Sequence, residues 1–185
     1  MNASVPPHPA LRELSALSEE AFAERLAGVF EHSPWLAARA WSARPFADVD
    51  ALHAALLAAL AAADADAQLA LIRAHPELAG KEAAAGALTA ESRGEQRGAG
   101  LDQCSPEELE RLRRLNAAYR ERHGFPFIVA VRGLGRAQII DTLTRRLANP
   151  TDAERATALR EIGKIARFRL DALLATGTEG SRHDR

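Results

Sequence analysis

Apolar positions recur along most of this chain at helical spacing, and the polar residues between them carry start and stop signals. Phe22, Leu26, Val29 and Phe30 form an i, i+4, i+7, i+8 stripe, and Ser18 ahead of Glu19 and Glu20 predicts where that helix starts. Ser33-Pro34 opens the next, with Trp35, Ala38 and Trp41 expected to face inward before Pro45 ends it. Asp48 opens a third helix to about Ala62, with Val49, Leu52, Leu56 and Leu60 on one side; His53 falls between stripes and reads as surface. Asp64 or Asp66 caps a fourth, anchored by Leu69 and Ile72 and ended at His75, because the residue before Pro76 is biased away from the α region. Gly80 and Gly86 bracket a short helix, and Thr89 caps another that begins at Ala90. Ser105-Pro106-Glu107-Glu108 combines an N-cap, a first-turn proline and a capping box, and Leu109, Leu112, Asn116 and Tyr119 follow on one stripe that stops near Gly124. A helix with Ile139, Ile140, Leu143 and Leu147 runs from Arg136. Thr151-x-x-Glu154 reads as a second capping box, opening a last helix to about Leu174 whose stripe is Leu159, Ile162, Ala166 and Leu173.

Only Phe125 to Val131 has the composition of a buried strand, and no second such run exists to pair with it. It is therefore expected to be an extended connection whose N–H and C=O groups need partners other than a ladder: side chains, water or a ligand. The predicted fold is all-α, a single compact domain of about seven or eight helices with one extended connecting segment and no substantial sheet. Residues 1–10 hold three prolines and read as a flexible arm, residues 11–175 as the helical domain, and residues 176–185, without apolar pattern, as a flexible tail.

Composition narrows the function classes. The 185 residues suit one domain, and 24 basic against 25 acidic residues give a formal net charge of -1, which favours a small-molecule partner over nucleic acid or a membrane. All but two of the basic residues, Lys81 and Lys164, are arginine, which reads as compositional bias. A lone Cys104 excludes an internal disulfide and a multi-cysteine metal cage. Neither a secretory signal nor a membrane-length apolar run is visible, and the C-terminal Ser181-Arg182-His183-Asp184-Arg185 is no peroxisomal address, so a cytoplasmic location is expected.

The candidate chemistry concentrates between Leu71 and Leu101. On a helix from Ala90, Ser92, Glu95, Gln96 and Ala99 share one face, aligning a hydroxyl, a carboxylate and an amide, while Arg93 and Arg97 point elsewhere. His75, at a helix end before Pro76, is placed to face a cleft, although a lone histidine there also suits a purely structural role. Asn116, if buried, needs hydrogen bonds, and a bond to a loop is the simplest supply. Arg169 lies within the stripe of the last helix and needs an anion; an internal salt bridge and a bound carboxylate both satisfy that requirement, whereas Arg167 is rotated toward solvent. No dinucleotide fingerprint, P-loop or metal-ligand spacing occurs, and His8 and His183 lie in the expected loose ends.

His-Pro-Glu-Leu-Ala-Gly at 75–80, Leu-Thr-Ala-Glu-Ser-Arg-Gly-Glu-Gln at 88–96, Ala-Gly-Leu at 99–101, Leu-Asn-Ala-Ala-Tyr-Arg at 115–120 and Gly-Phe-Pro-Phe-Ile at 124–128 together resemble the OHCU decarboxylase family, which acts on 2-oxo-4-hydroxy-4-carboxy-5-ureidoimidazoline. Ser33-Pro34-Trp35, Arg44-Pro45-Phe46 and Ile165 to Leu170 extend the likeness, which covers most of the chain from about Leu11 to Leu174. The resemblance implies a carboxy-lyase of urate (purine) catabolism that needs no cofactor or metal, yields (S)-allantoin and forms a homodimer. With that chemistry in view, His75 is assigned as general acid, after first taking the substrate hydroxyl proton, and Glu95 as its orienting partner or the alternative proton carrier. Ser92 and Gln96 would bind ureido or ring amides, Pro76 would form a wall, and the main chain of Phe127, Ile128, Val129, Ala130 and Val131 would bind ring oxygens. Arg169 would clamp the carboxylate or a ring carbonyl. The alternative is a non-catalytic helical binding module for a ureide-like small molecule.

Overall fold

The computed structural model describes residues 9–80, 83 and 85–176. These contain nine α-helices, two single-turn 3-10 helices and no strand, so the all-α expectation holds. Residues 1–8 and 177–185, with His8, His183 and most of the expected arm and tail, lie outside the described residues, as do positions 81, 82 and 84 of the short helix expected between Gly80 and Gly86. The described chain divides into two compact units, one within Met1–Asp64 and Gly163–Arg185, the other Ala65–Ile162.

The first unit opens with a helix ahead of any expected from periodicity, α1 (Pro9–Ala16), which begins on a proline and buries Leu11 and Leu14. In α2 (Glu19–Arg25), Ser18 accepts the Ala21 N–H at 3.3 Å as a cap; the helix stops short of its expected stripe, with Phe22 inside it and Leu26, Val29 and Phe30 in the turns that follow, and all four are buried. Helix α3 (Trp35–Ala40) is turned relative to expectation: Leu36, Ala37 and Ala40 enter the core, while both tryptophans stay half-buried. The arginines explain the difference. Arg39 covers the Trp35 ring at 4.7 Å and Arg44 covers Trp41 at 3.6 Å, and the Trp41 indole donates to the Leu17 carbonyl at 3.0 Å, satisfying each ring at the surface.

Helix α4 (Val49–Ala61) starts where Asp48 accepts the Ala51 N–H at 2.8 Å, and Leu52, Leu56 and Leu60 are buried. His53 is not plain surface: it is half-buried, and its Nε2 donates to the Gly163 carbonyl at 2.8 Å. Beside it, Leu57 lies where a Cβ on Gly163 would meet it at 3.1 Å, so the glycine permits this close approach.

The second unit holds α5 (Ala65–Ala74), α6 (Ala90–Gly98), α7 (Pro106–His123) and α8 (Arg136–Arg146). Leu71 and Ile72, rather than Leu69, are the buried anchors of α5. The capping box of α7 forms as its sequence predicts, with Ser105 Oγ accepting from the Glu108 N–H at 3.2 Å and Glu108 accepting from the Ser105 N–H at 2.9 Å. Gly124, at φ +79°, ends that helix. Helix α9 (Thr151–Thr176) contributes its residues up to Ile162 here and the rest to the first unit. Its buried stripe is Glu154, Ala158, Ile162, Ile165, Ala166, Arg169, Leu170 and Leu174, with Leu159 and Leu173 at its half-buried margin.

Arginine forks tie loops where no sheet does so among the described residues. Arg44 donates to the carbonyls of Ser15, Leu17 and Trp41, Arg73 to that of Gly124, Arg93 to those of Gly86 and Leu88, and Arg136 to those of Gly100 and Gln103. Among the described residues no single helix is long and apolar enough to cross a membrane. Ser105→Ala should lower unfolding stability by about 1 kcal/mol in urea titration, the usual worth of a helix cap, without changing the helical circular-dichroism spectrum.

Candidate functional site

The site begins with a proline that lacks a donor. At the end of α5 the Ile72 carbonyl would accept from position 76 in a continued helix, but Pro76 has no N–H, and the His75 N–H bonds to Ile72 instead, at 3.2 Å. The Leu71 carbonyl, which His75 N–H would otherwise have satisfied, accepts from the His75 ring, with Nδ1 to oxygen at 2.9 Å. A carbonyl can only accept, so Nδ1 carries a proton, and in the neutral form of the ring the lone pair lies on Nε2. The imidazole is buried, and Pro76 beside it is half-buried.

The turn that follows is held from two helices. Ala79, at φ +51°, donates its N–H to Gln96 Oε1 at 2.9 Å, and Gln96 Nε2 donates back to the Glu77 carbonyl at 3.3 Å. Asn116 Nδ2 on α7 donates to the Leu78 carbonyl at 2.9 Å, the expected bond to a loop, while its Oδ1 is buried with no hydrogen-bond partner among the described residues. Arg120 pairs with Glu77 at 2.7 Å. Gly80 is required, because a Cβ there would stand 2.6 Å from the Glu77 Cβ. Gln96 thus has one acceptor and one donor position engaged by the turn, and retains one of each.

On α6, Thr89 accepts the Ser92 N–H at 3.3 Å, which sets the helix register. Ser92, Gln96 and Ala99 are buried and Glu95 is half-buried on the same side, while Arg93 and Arg97 are exposed, as the spacing predicts. Gln96 links this polar face to the turn that starts at His75.

The Phe125 to Val131 run is buried throughout and joins no ladder. Side chains replace the ladder at two places: Arg146 Nη1 donates to the Ile128 carbonyl at 2.8 Å, and Glu161 accepts the Ala130 N–H at 2.9 Å. Among the described residues nothing partners the N–H or C=O of Val129 between them.

Arg146 is itself fixed by a carboxylate that sequence reasoning misread. Glu154 does not close a capping box on Thr151. Fully buried, it accepts from Arg146 Nε at 2.8 Å, from Asn149 at 2.7 Å and from the Tyr119 hydroxyl, while Thr151 Oγ1 faces His123 Nδ1 at 3.1 Å. Burial opposes ionisation of Glu154, but the bonds from Arg146, Tyr119 and Asn149 outweigh it and hold its carboxyl below the usual range. Burial, then the bond to Glu154, pushes the Tyr119 phenol up, and burial pushes the His123 imidazole down. The Arg146 guanidinium also covers the Phe127 ring at 4.6 Å. The signal for this cluster was available, since Glu154 falls four residues before Ala158 and eight before Ile162 on the buried stripe, but the Thr-x-x-Glu pattern concealed it.

Arg169 belongs to the first unit, where it is buried and bonds Glu31 Oε2 at 3.0 Å and the Gly28 carbonyl at 3.2 Å. Arg167 is likewise engaged, by Asp171 and Asp50. Burial and Glu108 push the Cys104 thiol up, away from thiolate character. Among the described residues no group of three or more His, Cys, Asp or Glu could hold a metal ion.

A family profile described as OHCU decarboxylase matches residues 15–171. A 2-oxo-4-hydroxy-4-carboxy-5-ureidoimidazoline decarboxylase of Amia calva is 40% identical over 164 residues, spanning 89% of this chain and 94% of that protein. Another, of Haloferax volcanii, is 39% identical over 160 residues, spanning 86% and 93%. A solved (S)-allantoin synthase is similar with a TM-score of 0.68 and 28% identity, over 88% of this chain and 53% of that one.

Glu154→Gln should cost about 3 kcal/mol at neutral pH, because it leaves the Arg146 cation beside a neutral amide in a buried site. The sign with pH follows from the lowered carboxyl: its stabilisation is full above the ordinary value of 4.5 and is lost as pH falls through the lower folded value. Urea midpoints measured from pH 7 downward should therefore converge for the variant and the parent as acidity increases below that value.

Proposed function

Because the chain belongs to the OHCU decarboxylase family, we propose that it decarboxylates 2-oxo-4-hydroxy-4-carboxy-5-ureidoimidazoline to (S)-allantoin, a carboxy-lyase step of urate breakdown that needs no cofactor. The observation that carries the mechanism is the Nδ1 bond of His75 to the Leu71 carbonyl, which leaves a base at Nε2 in the neutral ring. That nitrogen takes the proton of the substrate hydroxyl, and the Leu71 carbonyl stabilises the imidazolium formed. As the bond to the carboxylate carbon breaks and CO2 leaves, the electron pair passes into the ring carbonyl and imine groups of the substrate itself. The imine nitrogen that receives the pair is protonated from solvent, the one proton that loss of CO2 from a carboxylate consumes, and the imidazolium returns its proton to carbon from one face, which makes a single enantiomer.

Glu95 orients His75 or the substrate hydroxyl, and Ser92 hydrogen-bonds the ureido or ring amides. Gln96 does the same with the donor and acceptor positions that the turn leaves to it. Pro76 forms a wall. The main chain of Phe127 to Val131 binds ring oxygens and amides, a role supported by the unpartnered N–H and C=O of Val129. Arg169 is the assigned anion clamp, and its bond to Glu31 would have to share the guanidinium with a substrate oxygen. The catalytic domain is residues 11–175, which the family match over 15–171 supports. The same reading takes the protein as a cytoplasmic homodimer whose ligand is a small molecule, in keeping with a formal charge of -1.

Freshly generated substrate incubated with the purified protein should give optically active allantoin, followed by circular dichroism; a protein that binds allantoin without accelerating its formation would be a binding module instead. His75→Asn or His75→Gln should keep the fold and lower kcat/KM by on the order of 10²–10⁴-fold. The allantoin formed should lose enantiomeric excess, since solvent protonates either face. A single enantiomer retained at an enzymatic rate would transfer the donor role to Glu95. Glu95→Gln should impair turnover more than Ser92→Ala, because it removes a charge rather than one neutral hydrogen bond; equal, near-parental kcat/KM in both variants would make the α6 face a wet surface.

A further inference from the structure

Helices α8 and α9 reach the buried segment at two successive peptide groups, from side chains that the mechanism above does not use. Arg146 holds the Ile128 carbonyl and Glu161 holds the Ala130 N–H. In a trans peptide the C=O and the following N–H point in opposite directions, and among the described residues the only cis bond is Arg44–Pro45. The Ile128 carbonyl directed at Arg146 therefore turns the Val129 N–H away from Arg146. By the same geometry, the Ala130 N–H directed at Glu161 turns the Val129 C=O away from Glu161. One residue is left with its donor and its acceptor both aimed off the two clamps, in a buried stretch where polar groups need partners.

We propose that Glu161 is a positioning residue for the decarboxylation, acting through the Ala130 N–H, with Arg146 as its counterpart, to direct the Val129 donor and acceptor at the substrate. This rests on the reading that the main chain at 127–131 binds substrate. Glu161 never touches the reacting atoms; it fixes the rotation of the peptide plane that does the binding. Arg146 is the less useful residue to vary, because it also neutralises buried Glu154. Glu161 is half-buried and sits inside a long helix, where unbranched side chains are well tolerated.

Glu161→Met keeps the length of the side chain and removes the acceptor. It should raise KM and lower kcat/KM about tenfold, the worth of one hydrogen bond to a charged group. The melting temperature should stay within a few degrees, and the allantoin should remain a single enantiomer because His75 is untouched. Glu161→Gln, whose amide oxygen still accepts, should return KM to within about threefold of the parent. If the Met variant does not fold, Glu161→Ala supplies the same comparison. A parental KM in the acceptor-less variant, or a Gln variant impaired as much as the Met variant, overturns the proposal. Amide NMR during titration with (S)-allantoin separates this outcome from failure of the underlying reading. A Val129 amide that does not shift in the parent protein while allantoin binds would remove the main-chain contact itself, and a Val129 shift equally large in parent and Met variant would remove only Glu161.

Discussion

The buried carboxylate of Glu154 is the constraint to which much of the second unit answers. An ion with no access to water requires donors on its oxygens, and here they come from three places: Tyr119 on α7, Arg146 at the end of α8, and Asn149 in the connection to α9. Each donor ties a different element to the first turn of α9. Arg146 extends the arrangement one bond further, to the Ile128 carbonyl, so the charge that organises the helices also supports a backbone segment that has no strand beside it. A sheet would have satisfied that segment through its own ladder, whereas here side-chain chemistry does so and leaves Val129 open.

The histidine is set by a similar substitution of one kind of bond for another. A regular helix end exposes carbonyls to water. Pro76 shifts the last backbone bond of α5 by one residue, and the carbonyl released accepts from the imidazole. The His-Pro pair thus encodes a tautomer as well as a turn. Gln96 and Asn116 then fix the turn from α6 and α7, which aligns the polar face of α6 with it.

Legibility from sequence followed the range of the interaction. Local signals held: the Ser105 capping box, the Thr89 and Asp48 caps, the helix stop at Pro76 and the shared face of Ser92, Glu95 and Gln96 depend on residues within one or two turns. Motif order carried the family. Failures occurred where a side chain had a choice of partners distant in sequence. Glu154 had the spacing of a capping box but found Tyr119, 35 residues away, and His53 found Gly163, 110 residues away. Trp35 and Trp41 were expected inside, yet arginine covers let them remain half-buried at the surface. Helix α1 was hidden by its three preceding and initiating prolines, which read as a loose arm although Leu11 and Leu14 carry a buried face.

The arginine excess, which composition alone gave no reason to weigh, acquires a meaning from the loop carbonyls those side chains hold. A lysine ammonium is a single point donor, whereas a guanidinium carries several donors in one rigid plane, so Arg44 holds the Ser15, Leu17 and Trp41 carbonyls at once and Arg136 those of Gly100 and Gln103. The acceptors at their other ends are amide carbonyls, which do not ionise at all. Lysine at the same positions could reach one of those carbonyls but not the set, so each loop would keep a single tie where arginine gives it two or three.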